Sequence, residues 1–231
     1  MSTKVVISGA GGGIGINLVD QLLNEGCEVI AITRNALKVS TQKEKFGDLL
    51  KVIEIDFLQN NFIEILDTQK HEFHNVDILI NNAGLLINKP FEEFSMVEIQ
   101  KLISVNYSAA LAITQNCIPG LKKSDRAHVV NISTMGAVQG SVKFPGLSIY
   151  ASTKAAICTF TEVMAEEYKN EGIHFNCLAL GSVDTDMFNH AFPGQHAASS
   201  PIEIAKFIVD FSLNKRELFN GKIIPVAAQT P

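Results

Sequence analysis

The sequence lacks several features that would settle its class at once. Its basic residues never run beyond adjacent pairs such as Lys122-Lys123, and the net charge is −5. A nucleic-acid footprint needs a concentrated basic face, so nucleic acid is excluded as a partner and the charge reads as solubility. No Cys-x-x-Cys pair occurs. The four cysteines, Cys27, Cys117, Cys158 and Cys177, are scattered through apolar stretches, which points to buried free thiols and against a disulfide framework. His71, His74, His128, His174, His190 and His196 show no metal-ligand spacing, and no metal is expected. No run approaches the roughly 18 apolar residues of a membrane span, and no charged-then-apolar leader precedes the first strand pattern. The expectation is a cytoplasmic protein with no membrane partner. No composition break, repeat or low-complexity linker divides the chain, so residues 1–231 are read as one domain.

What is present is ordinary globular composition, 46% hydrophobic and 19% charged, in a regular alternation. Short β-branched runs at 5–8, 28–32, 52–55, 77–80, 127–132, 174–179 and 222–226 are separated by helical patterns. Those patterns lie near 14–25, 36–46, 60–73, 95–118, 149–170 and 201–212. Nearly continuous apolar strands alternating with helices predict an α/β fold, a doubly wound parallel sheet of about seven strands (a Rossmann fold). Residues 135–148 and 185–200 read as long irregular loops, the second holding Phe188 and Phe192 at the spacing of a short helical face.

Directly after the first strand comes Ser8-Gly9-Ala10-Gly11-Gly12-Gly13-Ile14-Gly15. A pyrophosphate held against a backbone needs residues without Cβ, free N–H groups and the positive end of a helix dipole. Five glycines between a strand and a helix supply all three, which points to nucleotide binding. At the end of the second strand an acidic residue would bind the ribose diol of NAD and repel a 2′-phosphate. Thr33 stands there instead, followed by Arg34, whose guanidinium can clamp a phosphate. Gly12 argues the other way, because it offers no second basic group. The balance is NADP, with NAD left open.

Tyr150 and Lys154 are four apart at the start of a helical pattern, hence on one face. A cation beside a phenol favours phenolate and lowers its pKa from the usual ~10, as a proton exchanger at neutral pH requires.

Taken together and in order, these residues resemble the short-chain dehydrogenase/reductase family, nearly end to end. Gly9, Gly13 and Gly15, with Gly12 and Ile14 between, are similar to its cofactor turn. Asp56-Phe57 resembles the pair that meets the adenine ring. Asn81-Asn82-Ala83-Gly84 is identical to the family's signature after the fourth strand, and Asn106 falls where the family anchors a proton-relay water. The resemblance makes Tyr150 and Lys154 the active-site pair. It also implies that Lys154 binds the nicotinamide ribose and lowers the phenol pKa.

Three departures from the pattern stand out. In Ile132-Ser133-Thr134 the catalytic serine is replaced, so the hydroxyl is expected from Thr134 with Ser133 preceding it, although which one points inward stays open. The spacing from Thr134 to Tyr150 is longer than usual, with 140–147 inserted. Leu180-Gly181 replaces a Pro-Gly pair, while Gly181, Val183 and Thr185 resemble the segment that holds the nicotinamide carboxamide. The ending at 226–231 lacks the usual Asp-Gly-Gly.

The function implied is NADP(H)-dependent reduction of a carbonyl, a 3-oxoacyl group or another ketone, to an alcohol, with Tyr150 as general acid. One alternative is an NAD-dependent alcohol dehydrogenase. Another, from a different class, is a non-catalytic NADP-binding sensor or scaffold. The partner is a small-molecule carbonyl or alcohol, with Met135, Val142, Phe144, Leu147, Met187, Phe188 and Phe192 as candidate pocket residues. The patterns at 95–118 and 149–170 resemble family helices that build homodimers and homotetramers.

Overall fold

The run Lys-Val-Val-Ile-Ser, apolar without interruption, becomes the central strand β1 (Lys4–Ser8), in which Val5, Val6 and Ile7 are wholly buried. The computed structural model describes residues 2–227. Six more strands join β1 in parallel: β2 (Glu28–Thr33), β3 (Leu50–Glu54), β4 (Ile78–Asn81), β5 (His128–Thr134), β6 (His174–Leu180) and β7 (Lys222–Val226). Their order is β3-β2-β1-β4-β5-β6-β7. Val5 lies beside Val29 on one side and Ile78 on the other, which fixes the register at the sheet's centre. Pro225, unable to donate to a ladder, is confined to the edge strand β7.

Successive residues of each strand point to opposite faces, so a strand buried on both must be apolar throughout. Val5, Ile7, Val29 and Ala31 pack under α1 (Gly13–Asn24) and α8 (Pro201–Asn214), against Leu18, Leu22, Ile204 and Ile208. Val6, Ile30, Leu79 and Val129 face the other way, toward α3 (Phe62–Thr68) and α5 (Ala109–Leu121), with Leu66, Ile113 and Leu121 among their neighbours. α6 (Ser148–Glu167) covers β5 and β6 on that second face. The expected doubly wound parallel sheet is what the chain forms. All four cysteines are free and buried.

Several helical patterns divide where one element was expected. Residues 36–46 split into a 3-10 turn, Ala36–Val39, and α2 (Ser40–Phe46), and 60–73 into α3 and the turn Lys70–Phe73. The stretch 95–118 opens as α4 (Met96–Ile103), capped reciprocally by Ser95 and Glu98. It then loosens into a π-helical segment, Ser104–Ser108, before α5. The loop expected at 185–200 contains a short helix, α7 (Asp186–Ala191). Thr185 caps it by accepting from the Phe188 amide, and Phe188 and Phe192 pack with ring centroids 5.2 Å apart. The spacing of Phe188 and Phe192 is thus that of a helical face, and the Thr185 cap sets where the helix begins. Of the expected C-terminal departure, residues 228–231 lie outside the described residues. Among the described residues no helix is long and apolar enough to cross a membrane.

Candidate active site

In a parallel sheet the strand ends fall on one edge, and the crevice opens where crossovers diverge to opposite faces. That point lies between β1 and β4, each of which ends in a functional motif. Gly9, just past β1, has φ +70, and a Cβ there would sit 2.7 Å from Ala83 Cα. A Cβ on Gly15 would collide with the Gly9 carbonyl oxygen, so this tight turn into α1 admits glycine alone. A Cβ on Gly12 would meet nothing within 4 Å, leaving the outer side of the turn open.

The segment after β4 locks onto this turn. Asn82 Nδ2 donates to the carbonyls of Ser8 (3.2 Å) and Gly9 (3.1 Å), while the Ala83 amide donates to Ser8 Oγ at 3.1 Å. Behind them, Asn81 Nδ2 donates to Asn131 Oδ1 (2.8 Å) and Thr114 Oγ1 (3.1 Å), tying β4 to β5 and α5. Asn81 Oδ1 is buried without a partner among the described residues. It belongs to a residue lining a cavity of about 10 Å³, shared with Ser8, Ala83, Asn106, Ile132 and Lys154. That volume suits one water molecule.

Lys154, on α6, is buried with its ammonium at 3.0 Å from the Ile132 carbonyl and 3.5 Å from the Ala83 carbonyl. Three donors on the ammonium leave one for a ligand. A Cβ on Gly84 would lie 3.7 Å from Lys154 Nζ and 3.7 Å from Met187 Cε, so α7 reaches across to the lysine. Asn106 lies in the π-helical segment. Its Oδ1 accepts from the Leu85 amide, and its Nδ2 donates to the Leu85 carbonyl and to Thr153 Oγ1. The side chain is thus committed to Leu85 and Thr153, tying the π-helical segment to the stretch after β4 and to α6.

Tyr150 is partly buried, one helical turn before Lys154. Desolvation pushes its phenol up to about 12 and pushes Lys154 down to about 8. The lowered phenol pKa expected from the lysine is therefore not what this arrangement produces. The ammonium is turned to two carbonyls, and burial is what shifts the phenol.

Ser133 and Thr134, neighbours on β5, face opposite ways. Ser133 Oγ is buried, donating to the Lys154 carbonyl (3.0 Å) and accepting from Cys158 Sγ (3.4 Å). Thr134, the last residue of β5, is partly exposed at the strand edge. The inserted loop beyond it is closed on itself, with Lys143 Nζ donating to the carbonyls of Gly136 (2.9 Å) and Val138 (2.5 Å).

The remaining candidates divide by position. Arg34 is exposed past β2 and has no carboxylate partner among the described residues, while Thr33 Oγ1 sits where a Cβ on Gly11 would clash. Asp56 Oδ1 accepts from the Leu58 amide at 3.0 Å. The Phe57 ring is buried edge-on against Phe62, so only its backbone can meet a ligand. After β6, Gly181 donates to the Val226 carbonyl, Val183 is buried, and Thr185 reaches the glycine turn, where a Cβ on Gly13 would lie 3.2 Å from its Cγ2.

Two residues escaped the sequence reading. Thr153 joins Asn106 to α6. Asn88, ahead of α4, donates to the Ala191 carbonyl at 2.9 Å and holds α7 in place. Thr153 lies between the spaced pair Tyr150 and Lys154 without being one of them, and Asn88 belongs to no spacing motif.

The family model for short chain dehydrogenases matches residues 3–196. The chain belongs to the short-chain dehydrogenase family. It is an NAD(P)-dependent oxidoreductase. An uncharacterized oxidoreductase of Staphylococcus aureus (strain MW2) is 27% identical over 206 residues, covering 88% of each chain. Among solved structures, the 3-ketoacyl-(acyl-carrier-protein) reductase from Brucella melitensis, complexed with NADH, superposes with a TM-score of 0.84. It is 20% identical and covers 99% of this chain and 98% of its own. ElxO with NADP bound gives a TM-score of 0.83 at 22% identity, covering 98% of each chain. Likeness at these identities is likeness of fold.

Proposed function

We propose that this short-chain dehydrogenase reduces a carbonyl compound to the corresponding alcohol with NADPH, using Tyr150 as the proton donor. The supporting observation is the convergence of Lys154 Nζ, the Ala83 carbonyl and the glycine turn on one small volume at the sheet's carboxyl edge. The residues fit a dinucleotide. Gly12 leaves the outer side of the turn open, Thr185 stands at Gly13, and the exposed Arg34 is the cation available to a 2′-phosphate. When bound, the cofactor supplies the hydride that the carbonyl carbon receives.

Every other part of the reaction falls to the chain. Tyr150 is held as the protonated phenol through the neutral range, so it can donate to the developing alkoxide. Thr134 is the free hydroxyl of the Ser133–Thr134 pair and orients the carbonyl oxygen, because Ser133 is engaged with Lys154 and Cys158. Lys154 stabilises negative charge as Tyr150 gives up its proton. The water-sized cavity beside Lys154 and Asn106 provides the route by which that proton is replaced. Met187 beside Gly84, on the short helix that also carries the Phe188–Phe192 ring pair, favours an apolar ketone or acyl substrate. The chain assembles as a homodimer or homotetramer through α4–α6, a reading supported by the family likeness and the exposed Val97, Ile103 and Val163. The reaction is tested by following NADPH absorbance against a panel of ketones, 3-oxoacyl thioesters and aldehydes. Oxidation dependent on one carbonyl class supports the proposal, and none with any class rejects it.

A further inference from the structure

Behind the strand that carries Thr134, α6 and β6 bring two thiols together. Cys158 Sγ and Cys177 Sγ are 3.9 Å apart, and Cys158 also contacts Ser133 Oγ at 3.4 Å. Ser133 spends its own proton on the Lys154 carbonyl, so the contacts run in one direction, from Cys177 through Cys158 and Ser133 to the backbone of Lys154. Cys177 is wholly buried, whereas Cys158 keeps 9% of its surface. The other two cysteines, Cys27 and Cys117, belong to separate core clusters.

We propose that Cys158 and Cys177 form an oxidative modification site, at which a small peroxide converts the facing thiols into an intramolecular disulfide beneath Lys154. Cys158 is the attacking sulfur because it is the less buried of the two. The contact with Cys177 also lowers its pKa, while Cys177 is raised. The Cys158 sulfur breaks the peroxide O–O bond, forming an S–O bond and releasing hydroxide, which takes the thiol proton to become water. The Cys177 sulfur then attacks Cys158 and breaks its S–O bond, and the departing hydroxide takes the Cys177 thiol proton to become a second water. Two thiols are oxidised by one electron each, and one peroxide is reduced to two waters.

Bond formation must close 3.9 Å to about 2.05 Å, which draws α6 toward β6 and takes Cys158 off Ser133. Lys154 lies one turn earlier on the same helix and is held by that serine. A misplacement of about 1 Å can cost on the order of a hundredfold in turnover. Oxidised protein is therefore expected to lose at least about tenfold of its activity. This consequence rests on the function proposed above, whereas the bond itself does not.

The test is stepwise treatment of the full chain with hydrogen peroxide, read by intact mass, alkylation of thiols under denaturing conditions and peptide mapping. The expected product is lighter by two hydrogens, retains two of its four thiols and yields a Cys158–Cys177 linked peptide that dithiothreitol separates. Cys177→Ser should stop at a sulfenic acid on Cys158, trapped by dimedone. Four intact thiols beside oxidised methionines, a bond through Cys27 or Cys117, or cross-linked chains would overturn the proposal. These readouts come from the wild-type chain, so they decide the matter even if the variant does not fold or no substrate is turned over. A disulfide that leaves turnover unchanged would refute the link to Lys154.

Discussion

Asn82 donates from one amide nitrogen to the carbonyls of both Ser8 and Gly9, making the ends of β4 and β1 a single rigid piece. Replacing Asn82 with alanine leaves both carbonyls without this donor and frees the turn. Losing such bonds costs about 1–3 kcal/mol. The expected result is a lower melting temperature and NADPH affinity weakened about tenfold, since 1.4 kcal/mol is a factor of ten. Thermal unfolding and a nicotinamide fluorescence titration measure the two effects.

Cofactor preference should rest on Arg34. With no carboxylate partner among the described residues, its guanidinium is free to meet a 2′-phosphate. Arg34→Ala should weaken NADPH by about tenfold or more, in the range of a hydrogen bond to a charged group, while NADH is unaffected. Equal losses for the two nucleotides would contradict this role.

The two hydroxyls at the end of β5 should separate cleanly. Thr134→Val is expected to lower kcat by about tenfold or more with little change in stability, and Thr134→Ser to restore it. Ser133→Ala, which strips the Lys154 carbonyl and Cys158 of their partner, should cost about 1 kcal/mol of stability. Steady-state kinetics beside thermal unfolding distinguish the pair.

Acid should destabilise the fold through His128. Its ring is wholly buried, with Nδ1 at 3.1 Å from the Ser212 carbonyl and Nε2 at 3.1 Å from Asn176 Nδ2. The neutral ring with its proton on Nδ1 satisfies both contacts, and a proton on Nε2 would oppose the Asn176 donor. Burial holds the folded pKa down to about 4, against 6.5 unfolded. Between those values the unfolded chain binds the extra proton, so stability rises with pH and is lost as pH falls from 6.5 to 4. The shift corresponds to roughly 3 kcal/mol. Chemical denaturation across that range should show the slope for wild type and a flatter one for His128→Gln.

The sheet was legible because strands such as Val5–Ile7 and Val29–Ile32 must be apolar on both faces, and such short unbroken apolar runs recur between helical patterns. The glycine turn and Tyr150–Lys154 were legible because each depends on residues adjacent in sequence. What could not be read was set by contacts across the fold. Our assignment of Thr134 over Ser133 rests on a helix carbonyl 21 residues on, and the start of α7 on the cap that Thr185 supplies. The phenol's pKa was misjudged for the same reason. Spacing places a cation on Tyr150's face of the helix, but only the packed structure shows that ammonium turned toward Ile132 and Ala83.

The central claim is that Tyr150 supplies the proton. It is tested most directly by single-turnover oxidation of bound NADPH in Tyr150→Phe, using whichever carbonyl class the wild type reduces. General acid catalysis is worth about 10²–10⁴ in rate, so turnover should fall by that factor while NADPH affinity stays within about twofold. A variant that oxidises NADPH at the wild-type rate would contradict the account.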